Sequence, residues 1–117
     1  MKLKKYTCHV WKAEFWFAIG SNPKSFERFI KKEFDYDTSL NCCQGKLIEL
    51  TSQTSYPVYL IWTRNKDDYA ALAHEALHAV NYLFDVRDYK PDLKNDEAQT
   101  YLLEWVIDSA LGKRTHR

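Results

Sequence analysis

The sequence predicts an α+β domain, and three observations carry that prediction. Runs rich in aromatic and β-branched residues gather in the first half of the chain, turn and cap signals separate them, and the second half holds two long stretches with apolar residues at helical spacing. Strands clustered first and paired helices last suggest helices packed on one face of a sheet. The predicted order is ββα, ββ, αα. At 117 residues the chain is long enough to bury a core and too short for two full domains, so residues 1–117 are read as a single domain.

Tyr6 to Val10 and Ala13 to Ile19 read as strands of a hairpin turning near Trp11-Lys12. Gly20-Ser21-Asn22-Pro23 then supplies a turn, a cap and a proline at a first helical position. Phe26, Phe29, Ile30 and Phe34 follow at helical spacing, which makes an amphipathic helix. The polar stretch Asp35 to Gly45 reads as a loop. Lys46 to Thr51 and Val58 to Thr63 are the next strands, separated by Ser52-Gln53-Thr54-Ser55; the second is continuously apolar and suits an inner position. Caps and acids at Asn65 to Asp68 open a helix from about Asp67 to Phe84, and Asp96 to Leu111 forms a last helix after a loop containing Pro91.

Composition excludes several classes of function. Lys plus Arg is 17 against 16 for Asp plus Glu, so the basic excess of a dedicated nucleic-acid binder is missing and no nucleic-acid partner is expected. The basic ends, Lys2-Lys4-Lys5 and Lys113-Arg114-His116-Arg117, read as solubilising tails. No apolar run is long enough to cross a bilayer, and Met1 to Lys5 is followed by polar residues rather than by a signal peptide's apolar stretch, so a cytoplasmic address is expected. Cys8, Cys42 and Cys43 form neither an even disulfide framework nor a zinc-ligand spacing, and read as reduced thiols. Aromatic residues, 15% of the chain, supply much buried area per residue and read as core and cleft wall.

Chemistry concentrates in His74-Glu75-Ala76-Leu77-His78, the spacing H-E-x-x-H. On a helix the two histidines are about 40° apart and one turn above each other, so both imidazoles can reach one ion, which favours zinc. Glu75 lies beside them, where it can deprotonate a water bound to that ion. Asp67, His78, Asn81 and Asp85 lie within about 40° of His74, while Leu72, Ala76, Leu77, Val80, Leu83 and Phe84 cover the other side. The bland alternative is a solvated polar stripe, but histidine is rare as mere solvating surface at this spacing. Glu97 is the best third ligand, because a short connection would set the two helices antiparallel and bring the start of the last one near His78. Tyr101, one turn later, could orient a histidine, donate to a reacting oxyanion, or be a core tyrosine. Glu104 is a weaker alternative ligand, Asp108 reads as plain solvation, and His9 and His116 carry no spacing signal.

These residues resemble the gluzincin branch of the zincin metallopeptidases over about Ala71 to Ile107. His-Glu-Ala-Leu-His-Ala-Val followed by Asn-Asp-Glu-Ala-Gln-Thr-Tyr-Leu is also similar to small zincin-like proteins encoded by tailed phages and prophages, which would put the chain in a host cytoplasm. The resemblance implies zinc held by His74, His78 and Glu97, Glu75 as catalytic base, and a sheet strand above the cleft that pairs with an extended peptide. Two features depart from the family. Tyr101 stands where gluzincins often carry an acidic residue, and no residues remain for a second lobe to close the cleft. The expected activity is therefore hydrolysis of peptide bonds in a narrow protein substrate. The rival is a non-catalytic zinc-containing module that binds a host or partner protein, against which Glu75 argues, since a structural zinc needs no base.

Overall fold

In a computed structural model, which describes residues 1–50 and 56–113, the elements follow the predicted order. Strands β1 (Lys4–Cys8) and β2 (Ala13–Ile19) form the hairpin, helix α1 (Pro23–Phe34) follows, then β3 (Gly45–Leu50), β4 (Val58–Thr63), α2 (Tyr69–Val86) and α3 (Glu97–Leu111). The four strands form one mixed sheet in the order β1-β2-β4-β3, with β2 and β4 parallel and the outer pairs antiparallel. This is an α+β fold.

The first strand lies two residues earlier than the sequence suggests. Lys4 and Lys5 pair with Phe17 and Trp16, and the Lys5 ammonium sits 4.1 Å from the Trp16 ring centre. The chain must then reverse before Ala13, and Lys12 does so in the left-handed region at φ 56°, which leaves Val10 exposed at the hairpin tip. Arg87, just beyond α2, pins this turn by donating from Nε to the Trp11 carbonyl at 2.9 Å and from Nη2 to the Lys12 carbonyl. Gly45 belongs to β3 rather than to the preceding loop. The predicted turn at Ser52 to Ser55, and Thr51 before it, lie outside the described residues.

Alternation along the strands builds two cores. Phe15, Phe17, Tyr59 and Ile61 face one side with Leu72, Ala76, Val80, Leu83, Leu102 and Val106, so α2 and α3 share that face. Ala18, Leu60, Trp62 and Ile48 face the other side and meet Phe26, Ile30 and Leu40. The expectation of helices on one face thus holds for α2 and α3 only. The apolar stripe of α1 needs its own cover, and it takes the second face of a central strand that is buried on both sides. The Trp62 indole N–H donates to the Ser21 carbonyl at 2.9 Å and fastens the turn before α1 to that layer.

Caps explain the helix ends. Pro23 opens α1 while Asn22 Oδ1 accepts from the Ser25 N–H at 3.1 Å. Helix α2 begins at Tyr69 rather than Asp67 because Asp68 is its cap, with Oδ1 accepting from the Ala71 N–H at 3.0 Å. Asp96 precedes α3 without a side-chain cap bond. Among the described residues no helix is long and apolar enough to cross a membrane.

Candidate functional site

Helix α2 runs across the sheet beside β3, the outermost strand of the order β1-β2-β4-β3. It buries Leu72, Ala76, Ala79, Val80, Leu83 and Phe84 and turns His74, His78, Asn81 and Asp85 to solvent, as the periodicity predicts. Leu77 departs from that reading and is 41% exposed. It stands only about 60° round the helix from His74, too close to the polar stripe to be covered.

The two histidine Nε2 atoms are 3.2 Å apart, and the rings meet edge to face with centroids 4.7 Å apart. With complementary tautomers one ring donates and the other accepts. The same spacing also suits a shared ion. Two nitrogens each about 2.0 to 2.1 Å from a tetrahedral zinc are about 3.3 Å apart. The separation of the two nitrogens therefore matches that of two ligand positions.

Glu75 is held differently from its neighbours. Its side chain is 12% exposed where that of His74 is 68% exposed, and its Oε2 lies 3.9 Å from His74 Nε2. The shelter comes from Gly45 at the start of β3. A Cβ there would stand 3.1 Å from Glu75 Cγ and 3.3 Å from the Ala71 Cβ, so the missing side chain lets α2 and the Glu75 stem lie close against the strand. Tyr82, one turn after His78, stacks its ring on that imidazole with centroids 6.0 Å apart. Neither contact emerged from the sequence reading. Tyr82 carried a signal in its i, i+4 spacing from His78, whereas Gly45 shows its role only through tertiary packing.

Glu97 lies on the first turn of α3, whose start is tied to α2 by the Gln99 side-chain N–H donating to Asn81 Oδ1 at 2.8 Å. The start of α3 thus meets α2 at Asn81, three residues beyond His78. The Glu97 carboxylate is engaged by the Tyr101 phenol, a hydrogen bond that, with the carboxylate's charge, raises the tyrosine's pKa. Tyr101 is 64% exposed, which overturns the core-tyrosine alternative. Among the described residues no three His, Cys, Asp or Glu side chains converge as a metal-binding group. Asp108, read as plain solvation, is half-buried and partnered, and Glu104 is partnered as well. His9 is exposed on the hairpin turn, and His116 lies outside the described residues.

The loop into β3 is clamped by the residue that follows β4. Arg64 donates to the carbonyls of Leu40 at 2.7 Å and Cys43 at 3.0 Å, and this holds the chain that delivers Gly45 to α2. Cys42 in that loop is exposed, Cys43 half-buried and Cys8 buried, all three as free thiols.

No family model, curated protein or solved structure matches the chain.

Proposed function

We propose that the chain is a zinc-dependent metallopeptidase that hydrolyses peptide bonds of a narrow protein substrate. The observation that carries this reading is the 3.2 Å separation of the His74 and His78 Nε2 atoms, the bite of two ligands on one tetrahedral ion, with a sheltered carboxylate beside them. In it His74 and His78 would hold the ion, with Glu97 as the third ligand. An ion held there would supply Lewis acidity toward a peptide carbonyl and an attacking water. Glu75, packed against Gly45, would act as the base that accepts the attacking water's proton and passes it to the leaving amine. The edge of β3 offers main-chain groups to an extended peptide alongside α2, and the exposed Tyr101 is within one turn of the Glu97 ligand to donate to the developing oxyanion.

A second reading has a specific observation in its favour. Glu97 is engaged by Tyr101, and no third ligand stands with the histidine pair among the described residues, so a zinc-containing module that only docks on a partner protein remains the rival. One pair of variants separates the two. His78→Ala should lose most bound zinc by elemental analysis. Glu75→Gln should keep zinc and melting temperature while abolishing cleavage of a protein captured by pull-down. Capture of an intact partner by both wild type and Glu75→Gln, with zinc present, would favour the docking module. Absence of zinc in protein purified without chelator, with no thermal response to added zinc, would remove both readings.

A further inference from the structure

Three lysines from two distant parts of the chain line one cavity at the end of the sheet away from the Arg87-pinned hairpin. It measures about 230 Å³ and is walled by Lys2, Lys4 and Lys66 with Phe17, Ile19 and Leu111. It shares no residue with His74, Glu75, His78 or Glu97. The two segments arrive by separate devices. Lys4 stands opposite Phe17 in the β1–β2 ladder, on the face that α3 covers. Lys66 reaches the same place because the turn after β2 contains Gly20 at φ 70°, where a Cβ would come within 2.8 Å of the Lys66 Cβ and 3.0 Å of its backbone nitrogen. Gly20 also donates its N–H to the Thr63 carbonyl at 2.9 Å, which locks the two chain segments together.

The charges here are only partly answered. The Lys4 ammonium donates to the Ala110 carbonyl at 3.4 Å, at the C-terminal end of α3, and so meets the negative end of that helix. No ion pair joins Lys2 or Lys66 to a carboxylate among the described residues, where the lysines in ion pairs are Lys24 and Lys31. Like charges gathered around a concave apolar floor focus a positive potential and repel one another. An anion placed among them relieves that repulsion.

We propose that this cavity binds a compact, multiply charged phosphate group. Ammonium groups bind phosphate as point charges without a fixed fork geometry, which suits three lysines on flexible stems. Their summed charge matches the two or three negative charges of a small phosphate compound, and the space admits such a group but not a folded partner. What the sequence presents as a solubilising N-terminal tail is in the fold one wall of a site completed by the β4–α2 connection.

The test is calorimetric titration with inorganic pyrophosphate at constant ionic strength, paired with thermal unfolding. Saturable binding near one per chain is expected, with a melting temperature that rises and levels off. Lys66→Gln keeps the backbone packing on Gly20 and should weaken pyrophosphate roughly fivefold or more. It should not lower the melting temperature of the ligand-free protein, since it removes a repulsion. Lys24→Gln, which removes a lysine on α1 paired with Glu27, should bind pyrophosphate like wild type. Unsaturable binding, or an equal loss in the two variants, overturns the proposal. So does a short single-stranded oligothymidylate that binds saturably where pyrophosphate does not, because the phosphate would then belong to a polymer lying across the surface.

Discussion

Two residues control how Glu75 and Glu97 are presented, and neither is itself a charged group. Gly45 is the contact against which the Glu75 stem rests, 3.1 Å from where a Cβ would stand, with the Ala71 Cβ at 3.3 Å on the helix behind it. Gly45→Val should force Glu75 away from the strand. Turnover should fall at least about tenfold while zinc affinity stays near wild type, since His74 and His78 lie on the solvent side of the helix. Equal turnover in this variant would show that the position of Glu75 is not set by β3. Tyr101 acts on Glu97 in the opposite sense, by holding its carboxylate in a hydrogen bond. Glu97→Gln should lower zinc affinity at least about tenfold, whereas Tyr101→Phe releases the carboxylate and should leave affinity equal or higher. Weaker zinc binding in both variants would instead make Tyr101 a necessary support for the ligand. The histidine pair itself was legible from spacing, because two residues four apart on a helix must share a face. The Gly45 contact was not, because it joins residues thirty positions apart that only the sheet brings together.

At the scale of the elements, most ends were readable because caps are local chemistry. Asn22-Pro23 starts α1 where the sequence places it, and Asp68 starts α2 one residue after it. The Asp68 cap matters to the site because it fixes the first turn of the helix that carries His74. Asp68→Ala should cost about 1 kcal/mol of folding stability, read as a lowered urea midpoint with an unchanged slope. It should leave the His74–His78 spacing intact, since both lie beyond the first turn. A loss well above about 2 kcal/mol would mean that Asp68 holds more than the cap. The β1 boundary and the exposure of Leu77 were not readable. The former depends on which residues Phe17 and Trp16 find opposite them, and the latter on how far round α2 its cover reaches.

At the scale of the whole molecule, the sheet order was beyond local pattern. A continuously apolar β4 announces an inner strand, but nothing in it says that β2 runs parallel beside it or that β3 lies outside. That order, with α1 packed on one face and α2 and α3 on the other, leaves β3 as the edge strand beside α2. The same arrangement would make metal binding, as proposed, depend on the fold rather than on one helix. On the proposed reading, His74 and His78 on α2 and Glu97 on α3 would bridge the chain's last two elements, which are otherwise joined through the 87–96 connection, the Asn81–Gln99 hydrogen bond and their shared core. An ion bound only by the native state stabilises it by about 2.7 kcal/mol when free zinc is 100 times its dissociation constant. For a domain of this size that is a rise in melting temperature of roughly 10 °C. The rise should vanish in His78→Ala, where the bite is broken, and shrink in Glu97→Gln, where only the two imidazoles remain. Hydrogen exchange adds the spatial test. Zinc should slow exchange in the first turn of α3 as well as around His78 if Glu97 closes the site across the two helices. Protection confined to α2 would leave the metal on the histidine pair and assign its remaining ligands to solvent or to a bound partner.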